Sequence, residues 1–316
     1  MLTGCQIPNS IAMRTERFRI WAGFAIVAFV WGSTWLAIKI GLGSMPPFLG
    51  AGIRFAIASL IFFIIVRVRR VRVSLSPEAK KVYLVMGILS FGTCYALVYW
   101  GEQFIPSGLC SVLFAAYPSC VALFSHFLLE RERLTSFKIA GIVLGIAGLI
   151  VIFSGDLQVS DSSAIPGMAA VLLSTVLQAF ALVLIKKYGQ TVDVFAMNCV
   201  GMTIGTAVLL LLGLVLERGM PVVLDGAAVG SILYLAVVGS VLTFVSYYWL
   251  LKRIEAVYLS LTTFINPIVA VILGAVLLGE TLAPQTAAGA VLVLLGVLTA
   301  NGKSLYSKGR AVRSGT

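Results

Sequence analysis

Uncharged polar and aromatic side chains stand inside the most apolar stretches of this sequence. They are Trp31, Ser33, Thr34 and Trp35 in "WGSTW", the isolated Gln178, and Thr262, Thr263 and Asn266 in "LTTFIN". Hydroxyl and amide groups in apolar surroundings bind a polar small molecule by hydrogen bonds, and aromatic walls accept its apolar part. The chemistry that these residues predict is reversible binding rather than the making of bonds.

Two prolines interrupt the same kind of stretch, Pro118 in "AAYPSCV" and Pro267 in "FINPIVA". A proline within a helix lacks the N–H that would bond the carbonyl four residues earlier. In lipid that carbonyl must find a partner or face water, so a broken helix is stable where it lines a polar cavity. A packing kink supported by neighbouring helices is the alternative. Because Tyr117, Ser119 and Asn266 flank the prolines, we expect both breaks to line a central cavity.

Arg54 is a charged residue well inside an apolar run. An ionised group in hydrocarbon is costly unless it is paired or hydrated, so Arg54 is expected to face the interior of the bundle. It could bind a substrate carboxylate, or anchor its helix by bonding backbone carbonyls. Tyr95 and Tyr99 lie toward the outer end of the third apolar run and are further candidates for the cavity wall. Lys39 is expected to snorkel to the outer surface.

Residue patterns typical of enzymes and metal sites are missing from the sequence. His126 is the only histidine, the five cysteines are scattered, and no HExxH, phosphate loop or intramembrane aspartate pair occurs. We therefore predict no enzymatic activity, no metal and no cofactor. Glu102, Glu130, Glu217 and Glu280 all fall at predicted helix ends, so no carboxylate near the middle of a span offers an obvious proton or sodium relay.

The elements that must position these residues follow from hydropathy. The chain of 316 residues is 60% hydrophobic and 11% charged, which fits a protein whose solvent is mostly lipid. A helix that crosses the hydrocarbon needs roughly 20 apolar residues. Ten such runs are predicted, at Ile20–Ile38, Phe48–Val66, Val82–Trp100, Ser107–Leu129, Ile139–Phe153, Pro166–Ile185, Val194–Leu216, Val229–Leu250, Val257–Leu278 and Ala287–Ala300.

The distribution of positive charge predicts the orientation of these helices. Of the 23 Lys and Arg residues, only Lys39, Arg54 and Arg218 fall outside the terminal segments and the alternate loops that would share one side of the membrane. Cytoplasmic loops carry such an excess, so both termini are predicted to be cytoplasmic. The same distribution argues against a nucleic-acid-binding surface.

The second half of the chain repeats the first. At a constant offset of 149, Tyr99 falls on Tyr248, Trp100 on Trp249, Ser111 on Ser260 and Pro118 on Pro267, and after a one-residue deletion Gly141 falls on Gly289 and Gly148 on Gly296. Because each half contains five helices, an odd number, the second half must enter the membrane from the opposite side. The predicted fold is therefore all-α, with ten transmembrane helices arranged as two inverted five-helix repeats around a central cavity, as in secondary transporters.

Gly141 and Gly145 form a GxxxG pair in the fifth run. Such pairs pack helices closely, either within a chain or between subunits. A homodimer is therefore compatible with the sequence, but the pattern does not require one.

The chain resembles the EamA family of the drug/metabolite transporter superfamily. The matching motifs are "WGSTWLAIKIG", "IRF", "AAYP", "ERERL", "INP" and "LLGETL", in this order within residues 18–302. The resemblance implies a bacterial inner-membrane carrier that works by alternating access, with a cavity bordered by helices three, four, eight and nine. It also implies export of amino acids or similar metabolites, but it does not fix the substrate.

The sequence thus predicts a cytoplasmic segment (1–19), a first repeat (20–155), a second repeat (156–302) and a basic cytoplasmic tail (303–316). The predicted function is secondary transport, with export of small amphipathic metabolites and amino acids as the first choice. A channel-like facilitator, or an importer of a small metabolite or drug, is the alternative. The expected partners are a small-molecule substrate and the lipid bilayer.

Overall fold

The computed structural model describes residues 10–129, 135–156, 163–254, 256, 259, 262, 265–281 and 283–313. The apolar helices within these residues are α1 (Ser10–Leu42), α2 (Pro47–Val68), α3 (Pro77–Glu102), α4 (Ser107–Phe114 and Tyr117–Leu128), α5 (Ser136–Asp156), α6 (Ala164–Tyr188), α7 (Val194–Leu216), α8 (Gly226–Leu251), α9 (Ile265–Leu278) and α10 (Pro284–Arg313). Within the described residues, seven helices are long and apolar enough to cross a membrane, and shorter apolar segments lie in α5, α9 and α10.

These helices follow the predicted runs. Helix α7 begins at Val194 and ends at Leu216, as predicted. Helix α10 continues to Arg313 and so includes most of the predicted basic tail, and α1 begins at Ser10 within the predicted N-terminal segment. Much of the predicted start of the ninth run, from Val257, lies outside the described residues.

Large apolar side chains cover the outer surface of the bundle. Leu60 and Phe63 on α2 and Ile146 and Ile150 on α5 are each more than half exposed. Helices of a water-soluble protein would turn these side chains into a core. Their outward direction is that of a bundle surrounded by lipid, so the chain is a multi-pass membrane protein.

Helices α3 and α8 share a local irregularity. Each contains π-helical turns, over Val85–Cys94 in α3 and Val237–Leu242 in α8, and at the offset of 149 the second stretch falls within the first. Side-chain hydroxyls reinforce these wide turns, because Thr93 donates to the carbonyl of Ile88 and Ser240 to that of Leu235, each five residues earlier. Such turns are frequent at functional sites.

The helices of the two predicted halves pack in matching pairs. Helix α2 packs on α7 and α5 packs on α10, so helices at corresponding positions contact one another. Two further pairs of contacts exchange in the same way, since α1 with α9 matches α6 with α4, and α1 with α8 matches α6 with α3. The pattern joins the two halves over most of their length.

Glycines allow the closest of these approaches, between α5 and α10. A Cβ atom at Gly148 would lie 2.6 Å from the carbonyl oxygen of Gly289, and one at Gly296 would lie 2.6 Å from that of Gly141 and 2.7 Å from the nitrogen of Gly145. Since Gly141 opposes Gly296 while Gly148 opposes Gly289, the two helices are antiparallel. The GxxxG pair therefore packs within the chain, which accounts for it without a dimer.

Replacing Gly148 by alanine is expected to lower the free energy of unfolding by about 2 kcal/mol, because the new methyl group meets backbone atoms that cannot turn aside. Gly145→Ala is the control in the same helix, since its nearest contact is the Ser119 hydroxyl at 3.8 Å, and a change within about 0.5 kcal/mol is expected. Thermal unfolding in detergent measures both. Equal effects of the two substitutions would contradict the close backbone crossing.

Two lysines tie helix ends together in corresponding places. The Lys39 ammonium donates to the carbonyls of Glu102 and Ile105 after α3, at 2.7 and 2.9 Å. Lys186 donates to the carbonyls of Leu251 and Ile254 after α8, the latter at 2.8 Å, and these acceptors lie 149 residues after the first two. That Lys39 snorkels to the outer surface stays a prediction; its partly buried ammonium is held by carbonyls at a neighbouring helix end.

Carboxylates stabilise the first turns of two helices in the same region. Glu217 accepts hydrogen bonds from the N–H groups of Phe48 and Leu49 at the start of α2, at 2.6 and 2.8 Å. Glu280 accepts from the N–H and hydroxyl of Ser107 at the start of α4, at 3.0 and 2.7 Å. Both satisfy N–H groups that a helix cannot bond internally. We call this end of the bundle, with Lys39 and the first residues of α2 and α4, the outer end, because it is predicted to face outside.

Candidate substrate-binding site

A central cavity of about 620 Å³ of space unoccupied by atoms lies between helices of both halves. Its lining residues are Trp31, Thr34, Trp35 and Ile38 of α1, Cys94, Tyr95 and Val98 of α3, Phe114 and Tyr117 of α4, Ser174 and Gln178 of α6, Tyr247 of α8 and Asn266 of α9. This figure includes space that is open to solvent, so it exceeds the enclosed volume of the cavity. Helices α1 and α6 thus border the cavity in addition to the four that the family resemblance implied.

Six of the lining residues contribute aromatic rings to the cavity wall. The Trp31 ring lies 4.7 Å from that of Tyr247, and the Trp35 ring lies 5.4 Å from that of Phe114. Phe114 in turn stacks on Tyr117 at 5.4 Å. These spacings are those of favourable ring pairs, so the wall is held in place by its own contacts.

Hydrogen bonds fix the polar groups between these rings. The Trp31 indole N–H donates to the carbonyl of Gly239 at 3.3 Å, and the Ser90 hydroxyl donates to the Gln178 side-chain oxygen at 3.0 Å. The hydroxyls of Tyr117 and Tyr247 are 3.0 Å apart. The Thr34 hydroxyl donates to the carbonyl of Trp31 at 2.8 Å, which leaves its oxygen able to accept a bond from a ligand.

Helix α4 breaks where Pro118 predicted a break. The helix stops at Phe114 and resumes at Tyr117, with Ala115 and Ala116 in a turn between the two pieces. Pro118 itself is buried and does not line the cavity. Its effect is indirect, because the break presents Phe114 and Tyr117 to the cavity from its two sides.

Asn266 connects the start of α9 to α1. With its amide oriented so that the nitrogen faces acceptors, the side chain donates to the carbonyl of Ala28 at 2.8 Å and to that of Thr262 at 3.1 Å. Pro267 is buried next to it and, like Pro118, lies behind the wall. The amide therefore supplies donors to carbonyls near the proline, and it also reaches the cavity.

Besides Pro118, Pro267 and Arg54, three more predicted site residues lie away from the cavity wall, and a fourth is outside the described residues. Ser33 hydrogen-bonds the Tyr234 hydroxyl at 2.6 Å and the carbonyl of Val30, so α1 uses it to hold α8. Thr262 is buried and donates to the carbonyl of Leu259. Thr263 lies outside the described residues. Tyr99 lies behind the wall, where its hydroxyl accepts a hydrogen bond from Arg54.

Arg54 is buried in the bundle but does not line the cavity. Its Nε donates to the Ser240 hydroxyl at 3.0 Å and its Nη1 to the Tyr99 hydroxyl at 3.3 Å. The guanidinium also lies 5.0 Å from the centre of the Phe55 ring and 5.1 Å from that of Tyr95. This environment joins α2, α3 and α8, and it favours the anchoring role over contact with a substrate.

Sequence reasoning missed part of the wall, notably Cys94, Val98, Phe114 and Tyr247. The repeat itself carried a usable signal, because Val98 plus 149 is Tyr247. Similarly, Trp31 donates to Gly239 and Gln178 accepts from Ser90, and Ser90 plus 149 is Gly239. Because Val98 was itself missed, transferring the predicted candidates would not have reached Tyr247, although Tyr117 plus 149 is Asn266 and both line the cavity.

Comparisons with known proteins agree with this architecture. The model of the EamA-like transporter family matches residues 19–154 and again residues 165–302. The chain is 30% identical to the uncharacterized transporter YoaV of Bacillus subtilis, over 88% of this chain and 95% of that protein. It is also 30% identical to the uncharacterized inner membrane transporter YedA of Escherichia coli K12, over 88% and 89%.

A solved crystal structure shares the fold. It superposes with a TM-score of 0.68 at 19% identity and covers 88% of this chain and 95% of its own. At this identity the likeness concerns the fold alone. Since the family model matches both halves and the relatives are matched over nearly their full length, the chain belongs to the EamA-like transporter family.

Proposed function

We propose that the chain is a carrier that exports small amphipathic metabolites, with amino acids as the first choice, by alternating access between two inverted five-helix repeats. The repeats are residues 20–155 and 156–302. The single observation that carries the proposal is the central cavity, whose wall is contributed by both halves and lies at the break of α4 and the first residues of α9. Paired, broken helices around a midplane site are the usual construction of secondary transporters.

The inverted relation of the repeats has support from contacts that recur at, or within two residues of, the offset of 149. Lys39 and Lys186 each bond carbonyls at the end of the corresponding helix, α3 or α8. Ser76 accepts from the N–H of Ala79 at the start of α3, as Asp225 accepts from that of Ala228 at the start of α8. The antiparallel crossing of α5 and α10, which are corresponding helices, is what inversion requires.

Asp225 is the residue that caps the start of α8. The hydrogen bond from the Ala228 N–H, followed by that from the Ser44 hydroxyl, lowers the pKa of the Asp225 carboxyl. Its charge therefore persists at neutral pH and suits the positive end of α8.

The chemistry of the wall supports an amphipathic substrate. Among the lining residues within the described part of the chain, none carries a charge, so a strongly charged molecule would lose its hydration without gaining an ionic partner. Thr34, Gln178 and Asn266 offer hydroxyl and amide groups, and the ring of Trp31 can accept an ammonium on its face. A zwitterion or a neutral polar metabolite with an apolar part fits these groups.

We further propose that the carrier lies in the bacterial cytoplasmic membrane with both termini inside. The charge distribution supports this orientation, since all cationic residues except Lys39, Arg54 and Arg218 fall on the predicted cytoplasmic side. A bacterial relative named as an inner membrane transporter supports the location.

Counterflow in proteoliposomes tests the proposed function. Vesicles loaded with an unlabelled metabolite are diluted into the labelled compound, over a panel of amino acids and related metabolites. A carrier is expected to accumulate label transiently and saturably, because exchange needs no net flux. A channel would let label equilibrate without an overshoot and would give single-channel currents, and that result would replace the carrier by the alternative. No saturable exchange for any member of the panel would refute the proposed substrate class.

A further inference from the structure

Glu102 is a fully buried acid at the outer end of the bundle. It is the last residue of α3 and its side chain is 0% exposed. Within the described part of the chain, neither carboxyl oxygen has a hydrogen-bond partner. An ionised carboxylate here would lose its hydration without any donor to replace it, which is among the most costly arrangements in a protein. The geometry is that of a protonated acid.

The nearest cation does not serve the carboxyl group. The Lys39 ammonium has three N–H groups, and it faces three carbonyl oxygens, those of Glu102 at 2.7 Å, Gln103 at 3.4 Å and Ile105 at 2.9 Å. All its donors are thus directed to the backbone that follows α3. Lys39 holds the main chain at Glu102 and not its side chain.

The other charges around Glu102 come from three elements. Lys39 of α1, Glu280 after α9 and Arg54 of α2 act on it electrostatically, and Tyr99 and Cys110 are its titratable neighbours. Arg54 donates to Ser240 and Tyr99 instead. Glu280 accepts hydrogen bonds from the N–H and hydroxyl of Ser107, so its carboxyl group has its own donors and offers none to Glu102.

We propose that Glu102 is a proton-binding site whose proton is taken up when the outer end closes and released when it opens. On opening, the carboxylic O–H bond breaks and the proton passes to water that enters from the outer side. The resulting carboxylate attracts the Lys39 ammonium, which then releases the carbonyls after α3. This inference rests on the proposed alternating access, which supplies the open state.

The site belongs to one end of the bundle alone. At the offset of 149 the counterpart of Glu102 is Leu251, although the lysine contact is repeated there by Lys186. The two ends therefore share the contact of a lysine with backbone carbonyls, but only the outer end has a glutamate at this position. Closure of the outer end is expected to depend on pH, and closure of the inner end is not.

Cys94 provides a native probe of opening, since it lines the cavity and is 2% exposed in this structure. The experiment uses the full chain with the other cysteines replaced by alanine, in membrane vesicles of both orientations. An impermeant thiol reagent is added from one side, and the pH of that side is varied between about 5.5 and about 8.5, where buried acids exchange protons. The alkylation rate of Cys94 is measured in the parent, in Glu102→Gln and in Glu217→Gln.

From the outer side, the parent rate is expected to rise with pH by up to about tenfold per unit more than thiol ionisation alone provides, because one proton is linked to opening. Glu102→Gln is expected to lose this excess and to react slowly throughout. Glu217→Gln is the matched control, because that carboxylate is bonded to Phe48 and Leu49 and is expected to keep the excess. An unchanged slope in Glu102→Gln, or a slope seen only from the inner side, would overturn the proposal.

A second measurement does not need transport. The thermal stability of the detergent-solubilised parent is expected to fall as pH rises, because the closed fold holds a proton that the unfolded chain releases, and Glu102→Gln is expected to remove this fall. Identical stability profiles for the two would count against the site. If the profiles differ while no member of the metabolite panel shows counterflow, the proposed substrate class fails and the proton site stands.

Discussion

Asn266→Ala is expected to reduce counterflow by at least about tenfold and to lower the free energy of unfolding by about 2 kcal/mol. The side-chain amide donates to the carbonyls of Ala28 and Thr262, and it also lines the cavity. Removing it takes one donor from each of these carbonyls, and it takes from the wall a group that can bond substrate. Counterflow in proteoliposomes and thermal unfolding in detergent measure the two effects.

Asn198→Ala is the matched control for this substitution. Asn198 is a buried asparagine of α7 whose Nδ2 donates to the carbonyl of Val194 at 2.9 Å, within its own helix and away from the cavity. It is expected to lose about 1 kcal/mol of stability and to keep counterflow within about twofold. If both variants lost transport in proportion to stability, Asn266 would be a structural residue and the cavity would need another polar anchor.

Arg54→Ala is expected to lower the free energy of unfolding by about 4 kcal/mol while leaving the KM of the folded fraction unchanged. The substitution empties a fully buried volume between Phe55 and Tyr95 and removes the donors to Ser240 and Tyr99. Since Arg54 does not line the cavity, substrate affinity is not expected to fall together with the free energy of unfolding. The amount of folded protein after membrane extraction and the KM for exchange separate the two roles.

Arg67→Ala serves as the reference for loss of an arginine from the same helix. Arg67 is exposed and its guanidinium lies 5.7 Å from the centre of the Phe63 ring, so a change within about 0.5 kcal/mol is expected. A large rise in KM for Arg54→Ala, with normal folding, would instead assign Arg54 to substrate binding or gating.

Hydropathy predicted the helices well because lipid imposes a simple length rule. Helix α7 was located to the residue, since its apolar run lies between two acidic residues, Asp193, which caps its start, and Glu217. The π-helical turns of α3 and α8 could not be read in this way, because they depend on hydroxyls such as Thr93 and Ser240 bonding carbonyls five residues earlier. Hydropathy does not distinguish that bond from one four residues earlier.

In the site, too, the sequence pattern identified some residues, while the position of others depends on packing. Trp31, Trp35 and Asn266 stood out because polar or amphipathic groups at mid-membrane depth are costly unless they serve a cavity. Arg54 was also singled out by its depth in the membrane. Depth alone does not distinguish a side chain that lines the cavity from one buried between helices. Glu102 was placed at a helix end, where solvent was expected, and only the packing of Lys39 and α4 around it removes the water.

The π-helical turns give α3 and α8 each a point about which one part of the helix can rotate relative to the other. Each wide turn contains backbone that an ordinary α-helix would wind differently, and one residue of an α-helix corresponds to a rotation of about 100° and a rise of about 1.5 Å. Rewinding by one residue would therefore rotate the helical segment beyond the π-helical turn about the helix axis. In α3 that segment carries Tyr95, and in α8 it carries Tyr247. Such a rotation would change which aromatic rings face the cavity while the helix remained unbroken.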